Sequence, residues 1–232
     1  MTLYAIPTPL GGRPEDALPA SALHTIAEIE HFVAENAKTA RAFLSAVGMR
    51  RPIQDIAISV LDQHTATKDI ASLLQPLREG HSLGLLSEAG CPAIADPGAA
   101  LVEAAHREGF SVVPLVGPSS LVLALMASGL EGQRFAFCGY LPREAHARET
   151  RIRELERRSR NEKETQLFIE TPYRNDALLA SLLKICNAET MLCVAADLTL
   201  PTESIATRAA ADWGKAGATI GRRPAVFLLY AR

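Results

Sequence analysis

A strand, a loop of small residues and a helix follow one another directly in residues 82–98, which read SLGLLSEAGCPAIADPG. The apolar run at 83–86 has the length and composition of a strand that is buried on both faces. The residues after it are interrupted too often by glycine and proline to form a helix or a strand. Asp96 is placed as an N-cap before Pro97, which predicts a helix over the following AALVEAAHRE. This succession is typical of a parallel α/β unit.

The loop in this segment has the composition of a ligand-binding connection. In parallel α/β sheets, the loops that leave the carboxyl ends of strands hold ligands, and small side chains let a ligand approach the backbone. A tight connection without a ligand has the same composition. A second loop of this character, PTPLGG at residues 7–12, follows the first strand-like segment, and it is either another ligand-facing loop or a plain turn.

The rest of the chain predicts two α/β domains of different kinds, residues 1–116 and 117–232. In the first half, strands alternate with helices, among them an amphipathic helix over 68–79, so we expect a parallel sheet with helices on both faces and a Rossmann-like domain. In the second half, strands follow one another with fewer crossover helices, which indicates a mixed sheet. The predicted strands of the first half are residues 3–6, 30–35, 56–60, 83–86 and 111–115.

Charge and composition limit the classes of function. The formal net charge of −2 gives no global basic field, which argues against a general polyanion binder but leaves room for a local patch. The four cysteines and six histidines lack the spacing of metal ligands or of a catalytic triad, so no metal is expected. No leader peptide or membrane-spanning run is recognisable, and we expect a cytoplasmic protein that does not enter the membrane.

Two polar groups in the sequence have both a structural and a functional interpretation. Glu35, Lys38 and Arg41 lie near the end of a predicted strand and the start of the helix that Asn36 caps, where they form either exposed ion pairs or a substrate-binding rim. Ser119 or Ser120 caps the apolar helix LVLALMASGL, and the free N–H groups at its start could also hold a polar or anionic ligand group.

Six motifs in order give the chain a family resemblance. They are TPLGG, SEAGCPAIADPG, GPSS…ASGL, GYLPR, FIETPYR and RRPAVFLL. This set resembles the tetrapyrrole methylase superfamily of S-adenosylmethionine-dependent methyltransferases, and within it the branch that methylates a ribose 2′-hydroxyl of small-subunit ribosomal RNA. The resemblance implies an enzyme with two α/β domains, a homodimer, and S-adenosylmethionine bound in the cleft between the domains.

The resemblance also assigns residues, although it identifies no catalytic side chain. Substrate contacts fall on Glu35, Arg41, Arg143 and Arg174, and the proton of a hydroxyl acceptor would go to Glu35 or to a water. The residues that would bind the cofactor are Leu10, Gly90, Cys91, Ile94, Ser119, Ser120, Leu121, Ile169, Glu170 and Thr171.

Three functions remain open at this point. The first is methylation of ribosomal RNA or of the small ribosomal subunit, and the second is methylation of a small molecule of the tetrapyrrole type. The third is binding of S-adenosylmethionine without catalysis. The sequence departs from the RNA-acting branch on the acceptor side, for instance at Asn36, where that branch has an acid. Cofactor binding is therefore better supported by the motifs than the identity of the acceptor.

Overall fold

The computed structural model describes residues 1–62, 64–215 and 219–232. Contacts between residues divide the chain into two compact units, Met1–Ser119 and Ser120–Arg232. We call them unit 1 and unit 2. That the two halves are independent domains with a boundary after residue 116 stays a prediction.

Unit 1 contains a five-stranded sheet in the order β3-β2-β4-β1-β5. Every neighbouring pair in it is parallel, as the alternating pattern predicts. Its central strand is buried along its whole length, which explains the uninterrupted apolar run at that position. The strands are β1 (Thr2–Ile6), β2 (His31–Ala34), β3 (Ala57–Val60), β4 (Leu83–Leu86) and β5 (Ser111–Pro114).

Helices cover both faces of this sheet. The helices of unit 1 are α1 (Pro14–Ala17), α2 (Ala20–Ala27), α3 (Ala37–Val47), α4 (Thr67–Ile70), α5 (Gln75–Arg78) and α6 (Gly98–Arg107). On one face, Leu44 of α3 and Ile26 of α2 pack around Phe32. On the other face, Leu101 of α6 packs with Leu85 of β4. The predicted arrangement of helices on both faces is confirmed.

One helix prediction in unit 1 is wrong. The segment 68–79 is three short pieces rather than one amphipathic helix, because a 3-10 turn at Ala71–Leu74 separates α4 from α5. Pro76 lies in the first turn of α5, where its missing N–H does no harm, but a continuous helix would lose a backbone hydrogen bond there. The apolar periodicity of the segment is compatible with both arrangements.

Unit 2 contains a mixed sheet in the order β6-β7-β10-β8-β9. Only β6 and β7 pair in parallel within its described residues, and the other neighbouring pairs are antiparallel. The strands are β6 (Phe135–Tyr140), β7 (Thr165–Ile169), β8 (Met191–Ala196), β9 (Ser204–Ala209) and β10 (Ala225–Tyr230). The predicted mixed sheet is confirmed.

The helices of unit 2 are α7 (Ser120–Ser128), α8 (Ala145–Glu162), α9 (Asn175–Ile185) and α10 (Ala210–Lys215). The rings of Phe168 and Phe227 stack at 6.0 Å in its core, and the indole of Trp213 donates to the carbonyl of Leu192 at 2.9 Å. Neither these helices nor those of unit 1, as far as the chain is described, are long and apolar enough to cross a membrane.

Candidate functional site

The loops that follow β1 and β4 are joined at the carboxyl edge of the sheet in unit 1. Thr8 and Gly90 form an isolated antiparallel bridge, with N–H to O distances of 2.9 and 3.0 Å. The hydroxyl of Thr8 donates to the carbonyl of Ser87 at 3.3 Å, and the hydroxyl of Ser87 donates to the carbonyl of Gly90 at 2.7 Å. The two loops that the sequence singles out as ligand-facing therefore form one connected structure.

The loop that follows β5 packs against the same structure. Gly117 approaches the loop after β1 so closely that a Cβ at this position would lie 2.4 Å from the Cβ of Pro7. The thiol of Cys91 donates to the carbonyl of Pro118 at 3.3 Å. Gly90 has a φ of 78°, a conformation that favours glycine, and a Cβ there would lie 3.3 Å from the side chain of Leu10.

The central loop also holds two residues in a strained backbone conformation. Ala93 and Ala95 have φ angles of 65° and 63°, in the left-handed region that alanine seldom adopts. The carboxylate of Asp96 accepts from the N–H groups of Ala93 and Gly98, both at 2.8 Å, and holds this conformation in place. The N-cap of α6 is Pro97 rather than Asp96, so the predicted helix start is wrong by one residue.

Five of the predicted cofactor-binding residues lie in these loops of unit 1. Leu10 and Gly90 are adjacent, and Cys91 is fixed to the loop after β5, in which Ser119 is the last residue of the unit. Ile94 is 49% exposed at the tip of the central loop. The structure thus brings Leu10, Gly90 and Cys91 together, while their contact with a cofactor stays a prediction.

A cavity of about 280 Å³ opens beside these loops in unit 1. Its wall includes Thr8, Gly12 and Ser87 from the loops, together with Thr39 and Phe43 from α3. The hydroxyl of Thr39 donates to the carboxylate of Glu88, which also lines the cavity, at 2.6 Å. Sequence reasoning missed Thr39 and Glu88, although their positions at the start of α3 and just after β4 place both at the carboxyl edge of the sheet.

Glu35 lies in an unusual electrostatic environment at this edge of the sheet. It directly follows β2, is half-buried, and has no hydrogen-bond partner among the described residues. Burial raises the pKa of its carboxyl group, and the negative charges of Asp96, Glu88 and Asp62 raise it further. In the part of the chain described, no ion pair joins Glu35 to Lys38 or Arg41. The alternative that these three residues form exposed ion pairs with one another is therefore not observed.

Of the other predicted residues, Arg41 is exposed on α3 in unit 1, and the rest lie in unit 2. Glu170, which follows β7, is buried, and its carboxylate accepts from the N–H of Thr171 at 2.6 Å and from Arg174 Nε at 3.1 Å. Arg174 is therefore engaged by an acid, whereas the side chain of Arg143 is exposed. Ser120, Leu121 and Ile169 lie at the ends of elements: the first two begin α7, and Ile169 ends β7.

A family model described as "Tetrapyrrole (Corrin/Porphyrin) Methylases" matches residues 2–212. A protein of Halalkalibacterium halodurans named "Ribosomal RNA small subunit methyltransferase I" is 34% identical over 83% of this chain, and the chain covers 63% of that protein. A protein of the same name from Xylella fastidiosa is 34% identical over 88% of this chain, which covers 71% of it. The chain is thus shorter than both relatives and spans less than two thirds of the first.

Solved structures show the same fold at low sequence identity. The methyltransferase CobJ is 19% identical, with a TM-score of 0.64 over 100% of this chain and 98% of CobJ. The cobalt precorrin-4 methyltransferase CbiF is 17% identical, with a TM-score of 0.63 over 99% of this chain and 94% of CbiF. At these identities the likeness bears on the fold alone, and it confirms the predicted fold class.

The motif order in the sequence and the family model point to the same family. Methylases of this family take their methyl group from S-adenosylmethionine, so the predicted cofactor and enzyme class are confirmed at the level of the family. Relatives that are about a third identical to this chain, which covers up to 71% of their length, support the same assignment. Over nearly its whole length, this chain belongs to the tetrapyrrole (corrin/porphyrin) methylase family.

Proposed function

We propose that this protein is an S-adenosylmethionine-dependent methyltransferase that methylates a ribose 2′-hydroxyl of small-subunit ribosomal RNA. The observation that carries the proposal is the unpaired, half-buried carboxylate of Glu35 at the carboxyl edge of unit 1. A hydroxyl acceptor must lose its proton during methyl transfer, and a carboxyl group with a raised pKa is suited to take it. The names of the relatives support ribosomal RNA as the acceptor.

The residues of unit 1 fit the methyl donor. Glu88, Asp96 and Asp62 all lie within electrostatic reach of Glu35, which makes this edge of the sheet favourable for a cation such as a sulfonium. Gly90, at its positive φ and without a side chain, lets Leu10 pack directly against the backbone of the central loop. Leu10, Gly90 and Cys91 would hold the donor on this side, and the bridge between Thr8 and Gly90 keeps their loops in register.

When bound, S-adenosylmethionine supplies a methyl carbon on a positively charged sulfur, which keeps the bonding electron pair after transfer. No nucleophilic side chain is required, so the chain has to align the acceptor oxygen, exclude water and take up one proton. Glu35 takes that proton on its carboxylate. Glu88 and Thr39, which are hydrogen-bonded to each other beside the cavity, position the acceptor ribose.

The size of the cavity supports an acceptor that enters only in part. At about 280 Å³, it lies just below the range of roughly 300–1,000 Å³ that is typical of pockets for drug-sized ligands. One nucleotide of a longer RNA fits this description, with the neighbouring nucleotides outside the cavity. Methylation of a tetrapyrrole-type small molecule and binding of the cofactor without catalysis are the competing outcomes of the test below.

We also infer that the protein acts as a homodimer in the cytoplasm. Val122 and Met126 of α7 are 50% and 75% exposed, and their spacing of one helical turn places them on one face. An exposed apolar face of this kind is typical of an interface. Sedimentation analysis of the purified protein tests the inference, and a monomer at micromolar concentration would contradict it.

The experiment that tests the function measures transfer of a labelled methyl group into a cell extract, which contains both small ribosomal subunits and small molecules, from a strain that lacks this gene. We expect label in small-subunit ribosomal RNA, as a 2′-O-methyl nucleotide, with wild-type protein and none with E35Q. The variant R107A, which alters an exposed arginine paired with Glu103 away from the site, is the control and should transfer normally. Label in small molecules, or no label despite donor binding in calorimetry, would refute the RNA acceptor.

A further inference from the structure

An exposed aromatic ring in unit 2 carries an arginine on its face. Tyr173, in the turn after β7, is 77% exposed, and the guanidinium carbon of Arg222 lies 5.0 Å from the centre of its ring. Arg222 is itself exposed, in the loop before β10. A cation over an aromatic face adds little stability at an exposed site, so the requirements of folding alone do not account for this pair.

The loop that carries Arg222 is fixed to the start of α9. The carboxylate of Asp176 accepts from the N–H groups of Ile220 and Gly221 at 2.7 and 3.2 Å. The side-chain amide of Asn175 donates to the carbonyls of Gly221 and Arg223 at 3.1 and 2.7 Å. Since Tyr173 lies just before the same helix, ring and guanidinium are held together before any ligand arrives.

Arg222 differs from the arginines that flank the pair because it has no acidic partner in the described chain. Arg174 donates to the buried carboxylate of Glu170. Arg223 lies 3.7 Å from the carboxylate of Asp197 and donates to the hydroxyl of Ser204 at 2.9 Å. The guanidinium charge on the ring of Tyr173 is therefore available to an anionic ligand.

The strand next to β7, β6, also ends in an exposed tyrosine near an exposed arginine. β6 runs parallel to β7, and Tyr140, its last residue, pairs in register with Ile169. Tyr140 is 55% exposed, and Arg143, a few residues further on, is exposed without a partner for its side chain in the described ranges. Two exposed tyrosines and two unpaired arginines thus lie at the edge of the sheet where β6 and β7 end and β10 begins.

We propose that Tyr173 and Arg222 form a stacking platform for an unpaired base of a single-stranded RNA segment, and that Arg143 contacts its phosphates. The inference rests on the proposed RNA acceptor and adds where that RNA is held. Proteins recognise unpaired bases by stacking them on tyrosine rings and guanidinium planes, and arginines without acidic partners neutralise the backbone. The carboxylates at the edge of unit 1 repel phosphates, whereas this surface of unit 2 attracts them.

The test measures binding of a dye-labelled single-stranded RNA by fluorescence anisotropy at several salt concentrations. Loss of one stacked base should weaken binding by Y173A about 5- to 150-fold, while Y173F keeps the ring and stays near the wild type. R222A should weaken binding because part of the platform is lost, and R143A should also flatten the dependence on salt because one phosphate-directed charge is lost. R107A is again the control, and all three altered side chains are exposed, so the variants should unfold at the wild-type temperature.

Transfer of labelled methyl to ribosomal RNA, measured on the same variants, separates this inference from the proposed function. If wild-type protein methylates RNA and Y173A does so with unchanged KM and unchanged RNA affinity, the platform is refuted and the function stands. If wild-type protein transfers methyl to no RNA, the proposed acceptor is refuted and the platform with it. A raised KM in Y173A with an unchanged affinity for S-adenosylhomocysteine supports both.

Discussion

The substitution G117A tests whether the packing of three loops creates the donor site. A Cβ at Gly117 would lie 2.4 Å from the Cβ of Pro7 and 2.9 Å from the Cδ2 of Leu18, where ordinary contacts are 3.4–4 Å. The loops must therefore separate by roughly 1 Å, and overpacking of this kind typically costs about 1–3 kcal/mol. With about 2 kcal/mol lost, the urea midpoint should fall by about 1 M.

The matched control is G84A, which introduces a clash of similar severity inside the sheet. Its Cβ would lie 2.5 Å from the ring of Phe32 and 2.8 Å from Ile6, both fully buried. This variant should lose a similar free energy of unfolding, yet the loops that hold the donor are not displaced. Calorimetric titration with S-adenosylhomocysteine should therefore show unchanged affinity for folded G84A and a loss of roughly tenfold or more for G117A.

Three results would refute this reasoning. Wild-type stability of G117A would mean that the loops after β1 and β5 do not pack as the structure describes. A loss of stability with unchanged affinity would mean that Leu10, Gly90 and Cys91 do not form the donor site. An equal loss of affinity in G84A would assign the effect to general instability rather than to the loops.

Three further predictions follow from named contacts. In E35Q, methyl transfer should fall, while the free energy of unfolding at neutral pH should rise. The raised pKa of Glu35 means that the folded state binds more protons than the unfolded state, so the stability of the wild type decreases as the pH rises from the ordinary pKa of a glutamate through the raised one. Urea melts of both proteins at two pH values measure this difference in stability. In N36A, loss of the cap that accepts from the N–H of Lys38 at 2.9 Å should cost about 1 kcal/mol, whereas N36D should keep it, as thermal melts would show. Burial raises the pKa of Cys186 to about 12, so alkylation of its thiol at pH 8 should be far slower than that of a free thiol. Mass spectrometry of labelled peptides measures this rate, and modification of Cys186 before the other cysteines would contradict its burial.

Local patterns in the sequence were sufficient for the elements and for the class of fold. The apolar run between Gly80 and Gly90 predicts β4 because burial of a strand depends on its own residues. Capping residues predict the start of α3 at Asn36 because a cap is satisfied within one turn. The prediction of one helix over 68–79 is wrong because the spacing of apolar residues does not reveal that a 3-10 turn interrupts the segment.

Only the tertiary structure decided which of these residues meet. The bridge between Thr8 and Gly90, the crowding at Gly117 and the carboxylates around Glu35 all join segments that are far apart in the chain. Likewise, nothing in the motif FIETPYR indicates that Arg174 is bound by Glu170 while Tyr173 carries an arginine from another loop. Periodicity reports how a segment is buried, whereas contacts and charges across the chain depend on how strands order themselves in a sheet, and that order has no local signal.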